Sequence, residues 1–160
     1  LSYARNYNLN VRIARFHNTF GPLGSFQGGR EKAPAAICRK VAMAVTGDTI
    51  EVWGTGQQTR SFLYIDECIK GMIRLMDSEH TTPLNIGSDE MVTINELTAM
   101  VIAISGKELK IKNVEGPVGV NGRCSDNLLI ANLLNWQPDY PLQKGMVNLY
   151  KWINQRASIS

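Results

Sequence analysis

Apolar residues recur along the chain in two periods, and the switches between them mark alternating strands and helices. Asn10 to Phe16, with Val11, Ile13, Ala14 and Phe16, reads as a strand. Arg30 to Ala44 reads as a helix, with Pro34 in the first turn, where a missing N–H is harmless. Thr49 to Trp53 is a short strand that stops at Gly54-Thr55-Gly56. Ser61 to Ile65 is another strand, and Asp66 stands where it would N-cap a helix from Glu67 to Met76. Leu84 to Gly87 is a brief strand. Thr93-Ile94-Asn95-Glu96 has the pattern of a capping box, and Leu97, Met100, Val101 and Ile104 follow at helical spacing. Leu109 to Val114 reads as a strand, Ser125 or Asp126 opens a short helix ending near Leu134, and a last helix runs from about Leu142 to Arg156. This alternation predicts an α/β layered arrangement, in a single domain over residues 1–160.

Composition narrows the picture. A chain of 160 residues can bury a substantial core, and 44% hydrophobic with 19% charged residues is ordinary for a soluble globular protein. No apolar run approaches the roughly 18 residues of a membrane span. The start, Leu1-Ser2-Tyr3-Ala4-Arg5, has no signal-peptide stretch and no initiator Met, which leaves open that it is the remainder of something longer. The net charge of +3 is spread along the chain, without the basic stripe of a nucleic-acid surface, so no nucleic acid and no membrane is expected as a partner. Cys38, Cys68 and Cys124 are far apart, and His17 and His80 have no ligand-spaced neighbours, so no metal site is expected. The cysteines read as reduced thiols of a cytoplasmic protein.

The candidate chemistry concentrates near the first helix. Arg15-Phe16-His17-Asn18-Thr19-Phe20-Gly21-Pro22 leads through a loop with Gly24, Gly28 and Gly29 into Arg30-Glu31-Lys32-Ala33-Pro34. A strand running into a polar loop and a charged triplet that opens a helix is a common way to surround a small anionic ligand. Lys32 near a helix start sits in a field that disfavours a cation and favours its neutral, proton-accepting form. From pattern alone the commoner reading of Lys32 is a solvated surface lysine, and that of Arg30 with Glu31 a surface ion pair. Lys40, two turns on, reads equally as an exposed helix lysine or as a second group reaching the same ligand. Asn18 reads as a turn residue or a hydrogen-bonding one.

Several segments together resemble the C-terminal half of an extended short-chain dehydrogenase/reductase. These are Arg15 to Pro22, Thr59-Arg60-Ser61-Phe62-Leu63-Tyr64-Ile65-Asp66, Leu84-Asn85-Ile86-Gly87-Ser88 and Asn135-Trp136-Gln137-Pro138. Within that superfamily the chain is most similar to the GDP-mannose 3,5-epimerases, through Gly28 to Ala36, Trp53 to Phe62, Asn85 to Val92 and Gly122-Arg123-Cys124-Ser125-Asp126-Asn127. The resemblance implies the substrate-binding part of an extended short-chain dehydrogenase fold. The strands near 10–16 and 84–87 would be residual strands of its Rossmann sheet, without the N-terminal dinucleotide-binding half. It implies NAD as the cofactor of the full-length family, bound mainly by that half, and a nucleotide-sugar, a GDP-hexose, as substrate. The implied chemistry oxidises the hexose at C4, exchanges protons at the acidified C3 and C5, and reduces the ketone again.

Site residues carry over position by position. Lys32 matches one of the two acid/base groups, and the matching Cys lies in the missing half. Glu31 and Asn18 match contacts to the hexose, and Gln58 matches a position near the nucleotide. Arg60 and Arg123 match contacts to the diphosphate, which calls for fork-like donors. Asp66, Asn85, Trp136 and Pro138 look structural, and Asn135 replaces the family's usual Gly, which its tolerance of left-handed angles permits.

What is missing shapes the expectation. No glycine fingerprint follows a first strand, and Tyr3 and Tyr7 are followed four residues on by Tyr7 and Val11 rather than by Lys. The chain alone is therefore expected to be inactive, with exposed sheet edges that lead to a homo-oligomer or edge pairing. A stand-alone sugar-nucleotide binding module and an interaction scaffold remain the alternatives.

Overall fold

The computed structural model describes residues 2–117 and 119–157. Among these residues six helices and nine short strands follow in order: α1 (Ser2–Tyr7), β1 (Ala14–Phe16), β2 (Thr19–Phe20), α2 (Ala33–Met43), β3 (Thr49–Trp53), β4 (Thr59–Ser61), β5 (Leu63–Tyr64), α3 (Ile65–Met76), β6 (Leu84–Ile86), β7 (Met91–Thr93), α4 (Ile94–Ser105), β8 (Lys110–Val114), β9 (Gly122–Arg123), α5 (Leu128–Leu134) and α6 (Leu142–Ala157). Three parallel pairs form, β1 with β6, β2 with β5 and β3 with β8. A fourth sheet runs β7-β4-β9, with β4 antiparallel to β7 and parallel to β9. The expected α/β class is what the chain adopts.

Several boundaries differ from the sequence pattern, each for a local reason. The expected strand from Asn10 is only Ala14–Phe16, because its ladder matches the three residues of β6. The helix expected from Arg30 starts at Ala33, and Lys32 is its N-cap with extended backbone (φ −78°, ψ 161°). The expected strand from Ser61 to Ile65 is broken: Thr59–Ser61 pairs with β7 and β9, whereas Leu63–Tyr64 pairs with β2. Asp66 is not an N-cap. Tyr64 holds that place, and Asp66 lies in the first turn, where a carboxylate suits the helix dipole. Asn127 holds the N-cap position of α5 without a side-chain cap bond, and the Asp126 carboxylate accepts the Leu128 N–H at 3.0 Å. The capping box on α4 forms as expected, with Thr93 Oγ1 accepting the Glu96 N–H and Glu96 accepting the Thr93 N–H at 2.7 Å. Asn135 takes the left-handed conformation, φ 47° and ψ 47°.

Two cores lie on either side of the β2–β5 pair. The larger one packs α2, α4 and α6 through Ile37, Cys38, Val41, Leu97, Val101, Met146, Leu149 and Ile153. The smaller one gathers Leu63, Cys68, Leu75, Leu84, Ile86, Ile130 and Trp136 between β1–β6, α3 and α5. Side chains alternate across a strand, so Leu63 enters the smaller core while its neighbour Tyr64 enters the larger. Phe20 of β2 meets Tyr64 edge-on in the larger core, and Thr19 turns the other way, its hydroxyl 3.5 Å from the Cys68 thiol. Helix α6 lies close to this pair: a Cβ on Gly145 would stand 2.8 Å from both Phe20 and Tyr64 ring carbons. The three cysteines are unbridged, and burial pushes the Cys38 thiol up to about 12. No helix among the described residues is long and apolar enough to cross a membrane.

Candidate functional site

A cavity of about 550 Å³ opens between the N-terminal half of α2, the end of β3 and strand β4. That volume is in the range of small-molecule sites, roughly 300–1,000 Å³. Its apolar wall is Ile37, Val52 and Phe62, all buried, and its polar wall includes Asn18, Glu31, Lys32, Lys40, Gln58 and Arg60. Six of the seven residues singled out from sequence thus line one space, although they are spread along the chain from Asn18 to Arg60.

Each is held by a specific bond. Asn18 sits in the left-handed region (φ 45°), which an Asn tolerates. Its Nδ2 donates to the Ser61 carbonyl at 2.9 Å, which fixes the turn between β1 and β2. The loop that follows needs Gly28 and Gly29, whose φ values of 87° and 80° disfavour any side chain. Lys32 Nζ donates to the Thr19 carbonyl at 3.0 Å, and Lys40 Nζ to the Glu51 carbonyl at 2.7 Å. Gln58 Nε2 donates to the Trp53 carbonyl at 3.1 Å. Arg60 donates to the Thr59 and Val120 carbonyls, each at 2.7 Å.

Two placements go beyond the sequence pattern. Glu31 does not pair with Arg30. Its Oε1 accepts from Arg39 Nη2 at 3.0 Å, while Arg30 lines a smaller neighbouring cavity of about 260 Å³ with Lys32. Arg39 was not singled out from the sequence. Its only signal was its place beside Lys40, and nothing in the spacing said that the two would turn to different partners. Arg123 is not in the cavity wall. It is exposed on β9, directly opposite Arg60 in register, so both side chains leave the same face of the sheet.

Glu31 is the most perturbed acid of the cavity wall. Its own backbone N–H, then Arg39 and the Gly29 N–H, hold the carboxyl below its ordinary value against the opposing effect of burial. Its Oε2 is buried and has no hydrogen-bond partner among the described residues.

The sequence pattern of the NAD dependent epimerase/dehydratase family matches residues 1–87, more than half of the chain. The chain belongs to that family. Among relatives within the epimerase/dehydratase family, GDP-mannose 3,5-epimerase from Arabidopsis thaliana is 49% identical over 96% of this chain. UDP-glucuronic acid decarboxylase 6 from the same plant is 33% identical over 90%. The chain spans about 40% of the length of these relatives. The solved structure of UDP-N-acetylglucosamine 4-epimerase from Methanobrevibacter ruminantium M1 superimposes with a TM-score of 0.85 at 20% identity. That match covers 97% of this chain and 49% of the other, and so the fold is that of about half of an extended short-chain dehydrogenase epimerase.

The β2–α2 connection is not a dinucleotide cradle. A dinucleotide pyrophosphate needs a short Gly-rich turn joining strand directly to helix, whereas β2 ends at Phe20 and α2 begins at Ala33. The Tyr-x-x-x-Lys spacing occurs at Tyr140 and Lys144. Tyr140 lies before α6 begins, so the two do not share a helix face. Its ring stacks on Tyr64 at 5.0 Å and its hydroxyl accepts from Asn148 at 3.1 Å. Lys144 lies over that ring, 5.9 Å from its centroid, and neither residue lines the cavity. The pair is a packing element.

Proposed function

We propose that this chain is the substrate-binding portion of an NAD-dependent nucleotide-sugar epimerase acting on a GDP-hexose, and that it does not turn over substrate by itself. The supporting observation is the convergence of Asn18, Glu31, Lys32, Lys40, Gln58 and Arg60 on one cavity of ligand size. In this reading Glu31 accepts from a ring hydroxyl, and Lys32 exchanges a proton at C3 or C5 of the hexose. Arg60 and Arg123, side by side on β4 and β9, take the two phosphates. The hydride-transfer tyrosine and lysine, and the second acid/base group, belong to the part of the relatives that this chain does not match. The domain reading follows: residues 1–160 form one sugar-nucleotide-binding unit, and the β1–β6 pair continues a cofactor-domain sheet. With three unbridged thiols, the protein fits a cytoplasmic setting.

The alternative, an interaction scaffold in which these residues are relics, is less well supported, because a relic site has no reason to keep an unpartnered carboxylate oxygen against a cavity. The test is calorimetric titration of the purified chain with GDP-mannose, with UDP-glucose and GDP as comparators. Saturable GDP-mannose binding without turnover is expected. Absence of binding to all three, or measurable epimerisation by the chain alone, would overturn the reading.

A further inference from the structure

Glu31 is 8% exposed in its side chain and precedes α2, yet its carboxylate is not left to choose its own orientation. Arg39, two turns into the helix, reaches back with its guanidinium. One nitrogen, Nη2, donates to Glu31 Oε1 at 3.0 Å, and another, Nε, donates to the Phe26 carbonyl at 2.9 Å. A single planar group therefore ties the carboxylate and the Gly-rich loop to the helix. A buried carboxylate oxygen without a donor is costly, and Oε2 is such an atom in a residue lining the cavity.

We infer that Arg39 is a positioning residue: it fixes Glu31 and the loop at Phe26 as one unit and so presents Glu31 Oε2 to a hydroxyl of a polyhydroxylated ligand. This rests on the nucleotide-sugar reading of the cavity. A hydroxyl donor suits Oε2 because it satisfies the acceptor without adding a second buried charge beside the arginine. Lysine is no substitute, since only the guanidinium fork reaches two acceptors in fixed directions.

The electrostatics give a readout that a simple brace would not move. The charged groups of the cavity wall are Arg39, Lys32 and Lys40 from α2 and its cap, Glu51 from β3 and Arg60 from β4. Of these, Arg39 is the one in contact with the carboxylate. Removing its charge leaves burial opposed by backbone N–H groups alone, so Glu31 should hold its proton to higher pH.

The experiment follows the Glu31 carboxyl by NMR in chain carrying 13C-labelled glutamate, for wild type, Arg39→Met and Arg39→Lys, alongside GDP-mannose calorimetry across the acid range. Arg39→Met is expected to raise the Glu31 midpoint by about one pH unit or more. The acid limb of binding should move with it, and affinity near neutral pH should fall on the order of tenfold. Arg39→Lys should keep the midpoint near that of wild type while loosening the loop, seen as faster amide exchange around Phe26. Adding Arg39→Met to Glu31→Gln should cost little further affinity. An unmoved midpoint in folded Arg39→Met, or an undiminished affinity loss in the Glu31→Gln background, would overturn the assignment. If the midpoint moves but wild type binds no nucleotide-sugar, Arg39 keeps its role toward Glu31 and it is the nucleotide-sugar reading that falls.

Discussion

Arg60 and Arg123 face one another across β4 and β9, the first tied to two carbonyls and the second, among the described residues, to none. A guanidinium already bonded within the protein is pre-set in direction, whereas a bare one has its full set of donors for a ligand. Arg123→Ala is therefore expected to weaken GDP-mannose binding by about 1.5–3 kcal/mol, roughly ten- to a hundredfold, without altering thermal stability. Calorimetry beside a melting curve checks both halves of that statement. Arg60→Ala should differ by lowering stability as well, because it releases Val120 from β4.

Lys107, just beyond α4, donates its ammonium to the carbonyls of Val41, Ala42 and Ala44 at 2.7–2.9 Å. These are carbonyls at the end of α2 that have few helical partners. Lys107→Met keeps the stem and removes the donors, and it is expected to destabilise the fold by about 1–3 kcal/mol. A fall of several degrees in Tm is the measurement, and an unchanged Tm would contradict it.

The capping box on α4 gives a pH signature. Hydrogen bonds from the Thr93 backbone N–H and hydroxyl hold the Glu96 carboxyl below its ordinary 4.5. A depressed folded-state value adds stability that is complete above the unfolded value and is lost as pH falls through the folded one. Glu96→Gln should thus flatten the acid side of the stability profile below about pH 5 and leave its shape at pH 7 alone. Thr93→Ala, which deletes the cap itself, should cost about 1 kcal/mol at neutral pH. Urea titrations at a series of pH values distinguish the two.

Helix α3 exposes Ile69, Met72, Ile73 and Met76, spaced i, i+3, i+4, i+7 on a face beside the buried Cys68, Gly71 and Leu75. With the short β1–β6 pair beside it in the smaller core, the 160-residue chain by itself is expected to self-associate. Sedimentation at micromolar concentration should find species larger than a monomer, and Ile73→Glu should shift the distribution toward monomer. A clean monomer for wild type would remove this expectation.

The sequence made some of this legible and hid the rest for physical reasons. Strand β3 and the capping box at Thr93 could be read because their signals are local: alternation over five residues, and two side chains three apart. The break between Ser61 and Leu63 could not, since it depends on which distant strands, β7 and β9 or β2, claim each half. The N-cap of α3 went to Tyr64 rather than Asp66 because the turn from β5 leads into the helix two residues early. In the site, Asn18, Glu31, Lys32, Gln58 and Arg60 are legible through resemblance and Lys40 through its helical spacing from Lys32, and one cavity is lined by all six. Arg39 was missed because Glu31 lies outside the helix, where no i, i+4 rule connects them. Arg123 was placed beside Arg60 only by the parallel register of two very short strands.

Helix α2 is gripped at both ends by lysines: Lys32 reaches from its start to the Thr19 carbonyl, and Lys107 reaches from elsewhere to its last carbonyls. The 11 residues between act as a strut of roughly 16 Å. Its two anchors are unequal, since one is a single bond beside the cavity and the other a threefold clasp at the opposite end of the helix. A ligand that draws the Lys32 amine away from Thr19 thus unpins only the near end. The strut keeps its axis, and the cavity gains a mobile cation without losing its wall.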